Sequence, residues 1–185
     1  MMAGDPNNLL IAVSSEDHSR GPESALVTLV EYGDYECPYC GRAFPILQRL
    51  RTELGDQFRL VYRHFPQNNV HPHASVAAQA AEAAGAQKKF WDMHDLLFEH
   101  QDDLAGADLL QYALKIGLEV YRFEADLSSE KYAAKIREDY EGGRFNNVTK
   151  TPTFFINGKK YLGPLEYDAV LAEIKTALET AHRSQ

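Results

Sequence analysis

Hydrophobic and polar positions change period several times along this chain, and each change marks an element. Residues 25–31 are a nearly continuous run of apolar and β-branched side chains of strand length, the pattern of a central strand covered on both faces. Downstream, Phe44, Leu47, Leu50 and Leu54 recur at three- and four-residue spacing, which predicts a helix over 40–54 with one apolar stripe. Pro45 lies inside it and is expected to kink it, and Gly55-Asp56 to end it. Residues 58–65 alternate well enough for a second strand, which Pro66 stops. Strand, helix and strand make a βαβ unit, with whatever follows the first strand placed at the sheet's C-terminal edge, where open α/β sheets hold reactive groups.

The period then becomes helical. Helices are expected over 74–84, 90–100, 108–116 and 129–140, the last with Ser129 as N-cap, punctuated by Gly85, Gly106, Gly117 and the pair Gly142-Gly143. Trp91 and Met93 read as core or groove lining. Strand character returns at 152–156, Asn157-Gly158 is a hairpin turn leading to 159–162, and Val170, Leu171, Ile174 and Leu178 predict a closing helix over 167–181. Residues 1–24 are polar and broken by Gly4, Pro6, Gly21 and Pro22, an arm with a short edge strand at 9–13. The order is βαβ, helical block, ββα.

Composition narrows the function classes. With 185 residues, 44% of them hydrophobic and 25% charged, the chain suits one globular domain with an insertion. A net charge of −8 argues against nucleic acid or an anionic membrane surface as partner. No stretch approaches the roughly 20 apolar residues of a membrane span. Residues 1–16 have no basic region, and the apolar run at 9–13 is too short for a signal sequence. A cytoplasmic location is therefore expected, although a trimmed periplasmic or secreted protein reads the same way.

The candidate chemistry sits between the first strand and the first helix. Cys37-Pro38-Tyr39-Cys40 contains the only two cysteines in the sequence, one helical turn apart and able to close a small disulfide. Pro38 suits the first helical position. Cys37 then lies at the helix N-terminus, where unpaired N–H groups and the helix dipole favour a thiolate, and hence a nucleophile. Cys40, a turn further in, is placed to resolve a mixed disulfide at Cys37. The competing reading is half of a zinc site completed by His64, His71 and His73. It lacks a compact His-x-x-x-His partner, and His71-Pro72-His73 reads more readily as a loop and helix start.

With Cys-Pro-Tyr-Cys after the first strand, Thr151-Pro152 opening the third, and a carboxylate six residues before the first cysteine, the chain resembles the thioredoxin fold. Its long helical block resembles that of the DsbA-like branch, as do residues 27–40, 63–65 and 90–98. The resemblance implies a thioredoxin-like domain over 25–66 and 149–185, an inserted helical domain over 67–148 and an N-terminal arm over 1–24. It implies Cys37 as attacking and Cys40 as resolving cysteine, and Glu31 as the buried carboxylate that takes the proton of Cys40. Pro152 would be a cis-proline beside the disulfide, and with Thr151, Pro38 and Tyr39 would contact an extended substrate. Pro45 and Gly163 match a kink proline and the glycine before the last helix.

Activity is expected to be protein disulfide exchange with protein thiols or disulfides as substrates. No metal is assigned, and no cofactor beyond a redox-active disulfide Cys37–Cys40. The redox partner is unidentified, with glutathione as a candidate. Two departures qualify the resemblance. DsbA has histidine where this chain has Tyr39, and the Pro-Tyr dipeptide is that of dithiol glutaredoxins, which are shorter and lack the helical block. Asp34 and Glu36, if turned inward, disfavour the Cys37 thiolate, so a potential less oxidising than that of DsbA is expected.

Overall fold

The computed structural model describes residues 7–183; residues 1–6 of the expected arm and 184–185 lie outside the described residues. Five strands, β1 (His18–Arg20), β2 (Val27–Gly33), β3 (Phe58–His64), β4 (Thr153–Ile156) and β5 (Lys159–Lys160), form one sheet in the order β1-β3-β2-β4-β5. The apolar run predicted at 25–31 is β2, the central strand. It pairs parallel to β3 from Val27↔Phe58 to Gly33↔His64 and antiparallel to β4. Helix α1 (Pro38–Leu54) joins β2 to β3 and runs on through Pro45.

Period-two alternation then sorts the side chains. Val27 and Leu29 face α1 and the closing helix α7 (Tyr167–Arg183), packing with Leu47, Leu50, Ile174 and Leu178. Val30 and Tyr32 face the other way, with Val61, Phe65 and Phe155. By the same alternation Glu31 lies on the α1 face, opposite Tyr62 in the β2–β3 register. Asn157 and Gly158, at φ 46° and 81°, make the tight turn expected between β4 and β5.

The helical insertion contains α2 (Ala74–Gly85), α3 (Phe90–Glu99), α4 (Gly106–Lys115), α5 (Val120–Ser128) and α6 (Ala133–Phe145). Alanines of α2 allow close packing in an apolar cluster with Met93, Leu97, Leu109 and Phe123 that also takes in Tyr35, Cys37, Cys40 and Tyr62.

Three expectations are corrected. The segment 9–13 is not an edge strand: Leu9 and Val13 pack on a face of the sheet, and the edge strand is β1, antiparallel to β3. Three residues are too few to show a period, and tertiary partners hold β1, with Trp91 Nε1 donating to the Ser19 carbonyl at 3.0 Å. Ser129 is the C-cap of the unanticipated helix α5, its hydroxyl donating to the Ala125 carbonyl at 2.8 Å, and does not start α6. Gly142-Gly143 does not stop α6. A Cβ on Gly143 would lie 2.6 Å from the Phe65 ring, so glycine serves here to bring helix backbone onto the sheet.

Candidate active site

The site begins where β2 ends. Asp34 is buried and organises the turn: its Oδ1 accepts the Glu36 N–H at 2.9 Å, and its Oδ2 accepts the Gln67 N–H at 2.9 Å and pairs with His71 Nδ1 at 2.8 Å. The Cys37 N–H reaches the Asp34 carbonyl at 3.1 Å. This delivers Cys37 to the N-cap of α1 in extended conformation (φ −75°, ψ 121°), with Pro38 at the first helical position. Opposite it, the Thr151–Pro152 peptide bond is cis. The Cys37 thiol donates to the Thr151 carbonyl at 3.4 Å, and Gln67 Nε2 donates to Thr151 Oγ1 at 2.8 Å. Gln67 thus ties the loop before α2 to both sides of the cysteine.

The two thiols are unpaired and have opposite acidities. Cys37 is pulled down to about 5, first by the hydrogen bond from the Cys40 thiol, then by that of the Thr151 side chain and by the backbone N–H groups of Cys40 and Tyr39, which together outweigh burial. The long contact to the Thr151 carbonyl favours the neutral thiol only weakly beside these donors. Cys40 is pushed well above the usual thiol range, by burial first, then by its bond to Cys37 and the charge on Glu31. Glu31, buried with Oε1 unpartnered among the described residues, is raised to about 8 by burial and then by the Cys37 charge.

Of the residues singled out in the sequence, Cys37, Pro38, Tyr39, Thr151 and Pro152 line one open groove of about 630 Å³. Cys40 and Glu31 lie beneath it, closed to solvent. Of the acidic flank, Asp34 turns inward, its buried carboxylate paired with His71, while Glu36 pairs with His73 at 3.0 Å nearer the surface. Of the three histidines weighed for zinc, the third, His64, binds Glu82 at 2.8 Å. None completes a metal set with the cysteines among the described residues.

Gln101 went unnoticed in the sequence, yet its Nε2 donates to the carbonyls of Tyr35 at 2.6 Å and Cys37 at 3.0 Å, fastening the insertion to the cysteine turn. Gly41 was its trace, because a Cβ there would lie 1.9 Å from Gln101 Oε1.

The family model described as thioredoxin matches residues 14–176. The chain belongs to the thioredoxin family. Within that family its fold is DsbA-like. Its structure resembles that of oxidised BdbD from Bacillus subtilis with a TM-score of 0.81 and 24% identity, covering 89% of this chain and 94% of that one. Alpha-DsbA1 from Wolbachia pipientis gives a TM-score of 0.80 at 19% identity, covering 95% and 97%. Among curated relatives, a Na(+)/H(+) antiporter NhaA 1 of Salinispora arenicola is 47% identical over 171 residues, 92% of this chain and 26% of that protein. The chain therefore spans about a quarter of the length of such relatives. No helix among the described residues is long and apolar enough to cross a membrane.

Proposed function

We propose that this chain is a protein thiol-disulfide oxidoreductase that works through Cys37 and Cys40. The observation that carries this reading is the pair itself, an acidic thiol at a helix N-terminus open to a groove, above a buried thiol of opposite tendency. In the reducing direction the Cys37 thiolate attacks one sulfur of a substrate disulfide. The substrate S–S bond breaks, a mixed disulfide forms at Cys37, and the first substrate sulfur leaves as thiolate and takes a proton from water. Cys40 then attacks the Cys37 sulfur and expels the second substrate thiolate. Two electrons have passed to the substrate, and the Cys37–Cys40 disulfide remains. The oxidising direction is the reverse, with a second thiol or disulfide closing the cycle.

Glu31 is suited to the proton of Cys40. While Cys37 is a thiolate, its charge helps to keep Glu31 protonated. Once Cys37 is bound up in the mixed disulfide that charge is gone, Glu31 ionises more readily, and it accepts the proton of Cys40 as that sulfur attacks. In the reverse step the neutral acid protonates the departing Cys40 sulfur.

Thr151 and Pro152 would hold the substrate backbone beside Cys37. In the antiporter-named relatives the aligned quarter would be a thioredoxin-type segment of the same kind.

The test is trapping. Cys40→Ser protein incubated with a disulfide-containing polypeptide accumulates a stable mixed disulfide at Cys37, identified by mass, whereas Cys37→Ser protein accumulates none. Equal trapping by both variants, or by neither, contradicts the assignment. If only glutathione is trapped and no polypeptide is, the glutaredoxin-like reading replaces it.

A further inference from the structure

The groove beside Cys37 differs in charge from the rest of the molecule. The chain has 27 Asp and Glu against 19 Lys and Arg, yet no carboxylate side chain lines this groove, and Lys150 and Lys160 do. Lys150 immediately precedes the Thr151–Pro152 bond that faces the thiol. Lys160 is half-buried on β5, with its Nζ donating to the neutral Asn147 carbonyl at 2.7 Å. Among the described residues neither ammonium takes part in an ion pair, whereas Arg20, Arg63, Lys131 and Lys135 do. Burial and the charge of Lys150 hold the Lys160 ammonium below its usual range. Lys150 is exposed and the Lys160 ammonium lies over the Phe155 ring, so the groove is flanked by two positive charges and no lining carboxylate, a field that a bound anion complements.

The surrounding carboxylates do not fill that role. Asp34 and Glu36 are engaged by His71 and His73. Glu166 and Glu173 act on the Tyr161 phenol and do not line the groove.

Resting on the oxidoreductase reading above, we propose that the groove selects extended polypeptide segments carrying aspartate or glutamate within a few residues of the reacting cysteine, with Lys150 and Lys160 as the specificity-determining side chains. Exposed Tyr39 and Leu162, at 57% and 75% of full accessibility, supply apolar contact alongside. An added strand is not expected at β5, whose outer edge is already occupied: the Lys160 N–H donates to the Asn7 carbonyl at 2.7 Å, and the Leu9 N–H to the Gly158 carbonyl at 2.7 Å. The segment therefore lies along the groove at the Thr151 carbonyl and Cys37.

The test uses the reduced full chain and three synthetic peptides, each with one cysteine joined by a disulfide to the same neutral reporter thiol. The residues flanking the cysteine are aspartates, serines or lysines. At low ionic strength the aspartate peptide reacts about tenfold faster than the lysine peptide in second-order rate constant. The ratio falls below about threefold in high salt, as partly exposed charges require. Lys150→Gln and Lys160→Gln each reduce the ratio, and together they bring it near one.

Equal rates for the three peptides, or a ratio that survives both substitutions, overturns the selectivity and leaves the exchange reading standing. Failure of all three peptides to react overturns both. Glutathione disulfide serves as a further probe: a rate well above that of the aspartate peptide assigns the lysines to a small thiol carboxylate and contradicts the polypeptide claim. The salt dependence of the unsubstituted protein makes the result independent of how the variants fold.

Discussion

Replacing Glu31 with glutamine is expected to slow resolution of the mixed disulfide by about 10²-fold, the lower end of what a positioned acid–base group contributes. The same change alters how stability depends on pH. In the folded dithiol protein Glu31 holds its proton to about pH 8, against 4.5 for the ordinary group. Between these values the unfolded chain binds fewer protons than the folded one, so this carboxyl lowers stability as pH rises and has no such effect below both values. By pH 7 the loss is about 3.5 kcal/mol, from roughly 2.5 pH units at about 1.4 kcal/mol each. Glu31→Gln protein should therefore gain on the parent by about that amount between pH 4.5 and 7. Urea melts of the two reduced proteins across that range measure it, and the Cys37 contribution, common to both, cancels. Parallel stability curves would place Glu31 in a more solvated setting than its burial implies.

The second large effect lies away from the cysteines. Arg63 on β3 grips the N-terminal segment: its guanidinium makes two bonds to Asp17, at 2.7 and 2.9 Å, and one each to the carbonyls of Ile11 and Ala12 and to the Tyr32 hydroxyl. Both charged side chains are only 5% exposed. Arg63→Met leaves the Asp17 carboxylate buried without its partner, a loss of about 3–5 kcal/mol when a closed pair is broken on one side. The double variant Arg63→Met, Asp17→Asn should recover part of it, because the orphaned charge is removed as well. Denaturant midpoints for the three proteins decide the matter, and a single-variant loss under about 1 kcal/mol would show the pair to be effectively solvated.

The contrast between β2 and β1 shows what a sequence exposes. β2 is buried on both faces, so its residues are apolar but for Thr28 and the site carboxylate Glu31, and the strand is visible by inspection. β1 is three residues long and is defined by partners on β3 and α3. The glycines divide in the same way. Gly158 turns the chain at positive φ, the meaning a glycine carries locally. Gly143 and Gly41 make room for Phe65 and Gln101, partners that no local pattern names.

At the site, the Cys-x-x-Cys spacing and Pro38 describe a helix N-terminus by themselves. The orientation of Asp34 does not follow from them. Its proximity to Cys37 in sequence suggested repulsion of the thiolate, and the carboxylate is indeed buried, but His71 and the N–H of Gln67, both more than 30 residues downstream, engage its Oδ2. Of the acidic flank, only Glu36 is held near the surface by its own histidine, and Asp34 meets the inward condition with its charge engaged by neighbouring donors, while Tyr39 in place of histidine removes one stabilising group.

The reduction potential of the Cys37–Cys40 pair, measured by equilibrating the protein in glutathione buffers and quantifying thiols, bears most directly on the account. Attacking thiols near 7 and near 3.5 accompany potentials of about −270 and −120 mV in this superfamily. A Cys37 thiolate stabilised to this degree predicts a reversible disulfide with a potential between those two values, clearly above the lower one. A value at or below about −250 mV, or no reversible disulfide, would contradict a stabilised Cys37 thiolate as the working group of this protein.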